Sequence, residues 1–273
     1  MDLDSALPRL ARDLAAPFDL AEIALQLARD EYPDLDVDAY LSQLTGMAHE
    51  ARSYMRGSLD ARVTGLCRYL FHDLGFRGNT QSYYEPRNSY LNEVLDRRTG
   101  LPILLASVAM AVGQRAGLRV VGVGLPGHFV AKAIENGTEL LFDPFHGGRR
   151  LSPEQCEALV YQVTGSPFRA NRESLGAVPL ALMVVRMLNN LKGTYLRDED
   201  FGRAVRIIER LRQLRPDDPL QERDLGASLL RAGRPGRAVD HLQTYLNETP
   251  NAPDADAVRA LLRTAMCEVA KWN

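Results

Sequence analysis

Cysteine is scarce in this chain: Cys67, Cys156 and Cys267 are odd in number, far apart, and never form a Cys-x-x-Cys pair. This argues against a disulfide framework and against a structural zinc site, and a reducing cytoplasm is the expected compartment. An excess of one charge is missing too. With 33 basic and 35 acidic residues and a formal net charge of -2, bulk electrostatics gives no case for nucleic acid or membrane as a partner. Long apolar runs are also lacking. The longest, Leu101 to Val112, is too short to span a bilayer. The acidic opening Asp2-Leu3-Asp4 has neither the basic start nor the apolar stretch of a signal peptide.

What is present fits one or two soluble domains, since 273 residues exceed the usual single-domain size without demanding three. Leu20, Ile23, Ala24 and Leu27 recur at helical spacing over Leu20 to Arg29, before Pro33-Asp34 stops the pattern. A second helix is expected from about Val37. From Leu59 to Leu74, the residues Val63, Leu66, Cys67, Leu70 and Leu74 share one face, and Gly75-Phe76-Arg77-Gly78-Asn79 ends that helix. The stretch Tyr83 to Asn92 opens as a loop and leads into a helix running to Arg98, with Asn88 or Ser89 as the expected capping acceptor. Gly100-Leu101-Pro102 then introduces an apolar, alanine-rich helix ending near Ala116-Gly117, where glycine suits a C-terminal cap.

Period two replaces helical spacing beyond that point. Leu118 to Leu125 and Phe129 to Ile134 are valine-rich and bounded by glycine, Asn136-Gly137 is a hairpin signal, and Glu139 to Phe142 forms the return strand. At least three antiparallel strands are expected. A helix over Pro153 to Val163 follows, and the chain is expected to stay helical from there to its end.

The C-terminal part repeats itself. Gly202-Arg203-Ala204-Val205 recurs as Gly236-Arg237-Ala238-Val239, Tyr195-Leu196 as Leu229-Leu230, Pro216 as Pro250 and Pro219 as Pro253, each offset by 34 positions. That is the tetratricopeptide period. Small Ala204 and Ala238 let paired helices approach, and proline ends one unit before the next begins. Leu225-Gly226 fits the first-helix Leu-Gly of such a repeat, whereas the earlier unit departs from it with Leu191-Lys192. Two units and a closing helix from Asp254 to about Val269 are expected. Such repeats bind proteins or peptides along a concave surface. Arg203, Arg206 and Arg210 lie opposite the stripe Ala204, Ile207, Ile208 and Leu211, and this basic face suits an acidic peptide. The plainer reading is a solvated surface paired with Asp198, Glu199, Asp200 and Glu209.

Two compact motifs stand in the strand region: Leu125-Pro126-Gly127-His128-Phe129-Val130 and Leu141-Phe142-Asp143-Pro144-Phe145. In transglutaminase-like cysteine enzymes a thiol at a helix N-terminus is the nucleophile, a histidine on the following sheet takes its proton, and an aspartate on the next strand orients the histidine. The layout here resembles that superfamily. More narrowly, it resembles the bacterial transglutaminase-like/tetratricopeptide proteins described as regulators of sirC expression, the SirB family. The likeness runs through Asn88-Ser89-Tyr90-Leu91-Asn92, Gly100-Leu101-Pro102-Ile103, Gly124 to Phe129, Asp143 to Gly148 and the repeats. It implies an α+β fold: a helix-rich, papain-like domain with a small antiparallel sheet over residues 1–175, then an all-α repeat segment over 176–273.

The resemblance carries His128 onto the base position and Asp143 onto the orienting position, and puts Pro102 where the cysteine should stand. Proline suits the first turn of a helix and cannot act as a nucleophile. Ser107, five residues into that helix, lies past its dipole-favoured first turn. Cys67 and Cys156 read as packing residues. A His128/Asp143/His146 metal site can be drawn, but a hydrogen-bonded structural histidine is preferred, and no metal or cofactor is expected. Without a thiol, His128 and Asp143 are expected to be a structural remnant, or else to line a ligand pocket with Asn88 and Asn92. The leading expectation is therefore a cytoplasmic, non-catalytic scaffold or regulator that takes a protein or peptide on its repeats. The rival is a hydrolase or acyltransferase with an unrecognised nucleophile and His128 as base.

Overall fold

Asp2 accepts the backbone N–H groups of Asp4 and Ser5 and so starts a first helix, α1 (Leu3–Arg12), whose Leu3, Ala6, Leu7 and Leu10 are buried. The structure, a computed structural model, describes residues 2–13 and 16–271. Aspartate or serine caps also start α2 (Leu20–Ala28), α3 (Val37–Tyr54) and α4 (Leu59–Cys67) through Asp19, Asp36 and Ser58. The helix expected from Leu59 to Leu74 changes character partway: α4 ends at Cys67 and Arg68–Asp73 continues as a π-helix. The apolar stripe runs through both, so side-chain spacing alone conceals the change. Next come β1 (Arg77–Gly78), a 3-10 turn at Pro86–Ser89, α5 (Leu91–Arg97) and β2 (Thr99–Gly100), which pairs parallel with β1. Neither Asn88 nor Ser89 caps α5. Tyr90 holds the cap position without a side-chain bond, because the 3-10 turn has already used the two residues before it.

The helix α6 (Pro102–Arg115) is buried on nearly every side from Pro102 to Gly113, which is why its sequence is apolar all round. It packs against α2, α3 and the sheet formed by β3 (Val120–Leu125), β4 (His128–Glu135), β5 (Thr138–Asp143) and β6 (Arg149–Leu151). The sheet order is β3-β4-β5-β6, antiparallel throughout. Asn136 and Gly137, both at positive φ, make the tight turn between β4 and β5. Val123, Leu125 and Val130 join Leu151, Leu175 and the Cys156, Leu159 and Val160 side of α7 (Pro153–Thr164) in one apolar cluster.

Residues 165–179 are not helical, against expectation. Asn171 Oδ1 accepts the N–H groups of Glu173 and Ser174 in a turn, and the Val178 N–H donates to Gly122 O. This segment therefore serves the sheet. The helices α8 (Leu180–Arg197), α9 (Phe201–Leu214), α10 (Pro219–Arg231), α11 (Pro235–Glu248) and α12 (Ala255–Ala270) complete the chain. Their core comprises Val205, Ile208, Leu225, Leu229, Ala238, Leu242, Tyr245, Val258 and Leu262, among others.

The residues form two compact units: Pro17–Met187, and Asp2–Ala16 together with Leu188–Asn273. The N-terminal helix α1 thus belongs with the C-terminal helices, packed on α9. No helix among the described residues is long and apolar enough to cross a membrane.

Candidate functional site

The site is built by a tight turn and a strand register. His128 pairs with Leu125 across the Pro126-Gly127 turn, and Gly127 has a φ of +69°. A Cβ at Gly127 would come within 2.7 Å of Val163 Cγ1 and 2.9 Å of Thr164 Cγ2 on α7, so glycine is required both for the turn and for the approach of that helix. Pairing of β4 with β5 reaches Ala131 opposite Phe142. One further step sets Asp143 opposite Val130, on the same face as His128 and diagonal to it.

Asp143 is fully buried and acts as a hub. Its Oδ1 accepts the backbone N–H groups of Phe145 at 3.0 Å and His146 at 3.4 Å, which caps the 3-10 turn Pro144–His146. His128 Nε2 lies 3.1 Å from each carboxylate oxygen, and His146 Nδ1 lies 2.7 Å from Oδ2. Burial works to raise the pKa of Asp143, but the bonds and charges of His128 and then His146 outweigh it and hold the carboxyl below its ordinary value. An ionised carboxylate only accepts, so both of those ring nitrogens carry protons. The second nitrogen of a neutral His128, Nδ1, is then free to accept a proton, and it has no hydrogen-bond partner among the described residues.

The surroundings hold this pair in place. Phe145 meets the His128 ring edge-on at 5.8 Å, and Tyr83 meets Phe145 at 6.1 Å. Arg186 donates to His128 O at 2.6 Å and Leu125 O at 3.1 Å and lies over the Phe129 ring, clamping the turn before His128. Sequence reading did not connect Tyr83 and Arg186 to the site. Arg186 lies in a helix whose repeat character conceals its link to β4, and nothing local marks Tyr83. His146 was visible as a neighbour of Asp143 in sequence. One donor atom from each of His128, Asp143 and His146 falls within 4.8 Å of the others, close enough to share a cation. The hydrogen bonds explain the grouping without an ion.

Pro102 is the first residue of α6 and is buried. The Ser107 hydroxyl is buried and donates to Ile103 O within its own helix. Burial pushes the Cys67 thiol up to about 12 and Cys156 up to about 11, the charge of Asp143 adding to the second shift. Cys267 is exposed on α12, in the other unit. No thiol or hydroxyl among the described residues is hydrogen-bonded to His128.

Asn88 is buried with its amide consumed by its own loop: Nδ2 donates to Ser82 O and Tyr83 O, and Oδ1 accepts from Asn79. Asn92 Oδ1 and Ser89 Oγ are buried without a partner among the described residues. In the repeats, Arg203 pairs with Asp200 at 2.6 Å, and Arg210 with Asp4 of α1 and with Gln213. Nearby, Glu209 pairs with Arg237 of α11 and Asp198 with Arg197. The basic face of α9 therefore carries carboxylates of its own unit.

A buried His-Asp pair on a small sheet beside an apolar helix, followed by paired helices at a fixed period, defines a transglutaminase-like domain joined to tetratricopeptide repeats. The model of the transglutaminase-like superfamily matches residues 38–189, and a tetratricopeptide repeat model matches residues 191–263. A UPF0162 protein of Xylella fastidiosa strain Temecula1 is 36% identical over 248 residues, covering 89% of this chain and 88% of that protein. The UPF0162 protein YchA of Escherichia coli K12 is 24% identical, over 87% and 88%. The mouse F-box only protein 21 is 32% identical over 158 residues, 54% of this chain and 24% of that protein. The chain belongs to the transglutaminase-like superfamily and to the UPF0162 family. No solved structure matches it.

Proposed function

We propose that this protein is a non-catalytic cytoplasmic scaffold or regulator: a degenerate transglutaminase-like domain carrying a short tetratricopeptide platform for a protein partner. The observation that carries the reading is Pro102 at the first position of α6, where the resemblance to the cysteine enzymes implies a nucleophile. The raised thiol values of Cys67 and Cys156 support it, because neither supplies thiolate at neutral pH. The resemblance to regulators of sirC expression supports the regulatory part, and the match to tetratricopeptide repeats over 191–263 supports the binding part. Arg203, Arg206 and Arg210 are the residues assigned to the partner-facing surface. The test is recovery of a partner from a bacterial lysate by the full chain, compared with the triple variant Arg203→Glu, Arg206→Glu, Arg210→Glu. Loss of a specific partner in the variant is expected. Absence of any partner dependent on this face or on the repeat groove overturns the proposal.

A second reading is favoured by one observation: His128 keeps an ionised carboxylate on Nε2 and leaves Nδ1 unbonded, as a general base would. In that reading the protein is a hydrolase or acyltransferase with a nucleophile outside the expected position. It requires covalent labelling by an electrophilic probe that disappears in His128→Ala; a chain that does not label rules it out.

A further inference from the structure

An open cavity of about 750 Å³ lies beside His146, lined by Thr64, Cys67, Arg68, His72 and the run His146 to Arg150. That size is ordinary for a small-ligand site. Two walls form it. Thr64, Arg68 and His72 recur every four residues along α4 and its π-helical continuation and so share a face. The other wall is the turn Gly147-Gly148 with the two arginines that open β6. Gly148 makes the closeness possible: its φ is +76°, and a Cβ there would come within 2.6 Å of Phe71 and 2.7 Å of Cys67. The π-helical turn is notable in itself, since this rare geometry occurs often at functional sites.

The chemistry of the lining is one-sided. It includes three arginines and two histidines and no aspartate or glutamate. The acids nearby are paired with lining side chains. Asp60 takes Arg150 Nη2 at 2.9 Å, Asp73 is 4.0 Å from the largely exposed Arg68, and Asp143 holds His146 Nδ1 at 2.7 Å. Arg150 Nη2 also reaches Asp60 O and Thr64 Oγ1, which fixes its guanidinium against α4. Arg149 is exposed and has no ion-pair partner among the described residues. A fixed guanidinium, two exposed ones and imidazoles at the rim form an arrangement suited to a doubly charged oxyanion.

We propose that this cavity is a binding site for the phosphate group of a small molecule, with Arg68, His72, Arg149 and Arg150 as its contacts. The site lies wholly within the first unit and is independent of partner binding by the repeats. The test is calorimetric titration of the full chain at fixed ionic strength with inorganic phosphate and with phenyl phosphate, using chloride as control. It is repeated in Arg68→Gln, His72→Gln and Arg149→Gln, whose exposed side chains can be changed without unfolding the chain, as an unaltered melting point in chloride would verify. Saturable one-to-one binding is expected, weakened roughly tenfold in Arg68→Gln or Arg149→Gln. Tighter binding of phenyl phosphate identifies an ester as the ligand, and equal or weaker binding identifies free phosphate. Absence of saturable binding of either compound, or binding unchanged in all three variants, overturns the proposal.

Discussion

Two aspartates, one in each compact unit, gather several donors around one carboxylate, and they differ in what surrounds them. Asp143 has no exposed surface and serves two imidazoles and two backbone N–H groups drawn from β4 and its own turn. Asp224, on α10, keeps some exposure and takes Lys192 Nζ from α8 at 2.8 Å and the guanidinium of Arg223 beside it. Arg223 continues to Asp254, which also accepts the Tyr245 hydroxyl. The second network ties repeat helices together in series, where water and salt still reach it. The carboxylate of the first is closed to water, and only His146 at its edge is exposed. Burial thus makes one network a point of failure and the other an adjustable seam.

The comparison is tested most severely by Asp143→Ala. That change strands the Nε2 proton of His128 and two backbone N–H groups in a dry site, each costing about 1–3 kcal/mol. An overall loss of roughly 3–4 kcal/mol is expected in denaturant unfolding of the first unit, smaller than the simple sum because His146 can turn to water. A loss under about 1 kcal/mol would show that the hub is no stronger than a surface pair. The pH dependence follows from the lowered carboxyl value. A folded-state pKa below the unfolded value near 3.9 means that the stability from ionised Asp143 is fully present above about pH 4 and is lost as pH falls through the depressed folded value. Acid should therefore cost the wild type more than Asp143→Ala; parallel stability curves would contradict the burial argument.

Gly148→Ala comes next. It forces an L residue to a φ of +76° and drives a methyl into Cys67 and Phe71. A left-handed residue costs about 1–2 kcal/mol and overpacking a similar amount, so a loss of about 2–3 kcal/mol is expected by thermal or denaturant unfolding. A neutral result would mean that the turn and the π-helix are not in firm contact.

In the repeats the corresponding test is Gly226→Ala. The new Cβ would lie 2.7 Å from Leu242 Cγ and 3.1 Å from its backbone nitrogen. Gly226 sits inside α10 at ordinary helical angles, so the strain is opposed by the better helix propensity of alanine, worth about 1 kcal/mol. A net loss of roughly 1 kcal/mol is expected. The contrast with Gly148 separates a glycine needed for its backbone from one needed only for room.

How much of this was readable follows the same division between local and distant causes. The β4–β5 hairpin was legible because Asn136-Gly137 and the valine alternation are local signals. His128 and Asp143 were legible as a pair through their compact motifs. The helix α1 was not read, although Leu3, Ala6, Leu7 and Leu10 keep the helical period, because Pro8 inside it counts as a break. Its membership in the repeat unit depends on contacts with α9, some two hundred positions away along the chain, as the Asp4–Arg210 ion pair illustrates. The clamp of Arg186 on His128 is hidden for the same reason. Residues 165–179 were misread as helical because turn-forming Asn171 and Ser174 act through side-chain bonds that a period search does not weigh.

The smallest expected effect concerns position 192, where the first repeat carries lysine at the place that Gly226 holds in the second. Lys192 Nζ reaches Asp224 Oδ2 at 2.8 Å and Gln221 Oε1 at 3.4 Å, so the departure from the repeat pattern supplies a cross-link between α8 and α10. A double-mutant cycle with Lys192→Met and Asp224→Asn should give a coupling of about 0.5–1 kcal/mol, the upper part of the range for partly exposed pairs. The coupling should shrink by more than half between 0.05 and about 1 M salt, where the screening length falls to about 3 Å. The loss caused by Asp143→Ala should hardly change over that range. If the Lys192 coupling were instead insensitive to salt and above about 2 kcal/mol, the repeat network would behave as a buried one, and the distinction between the two units would have to rest on geometry rather than on water.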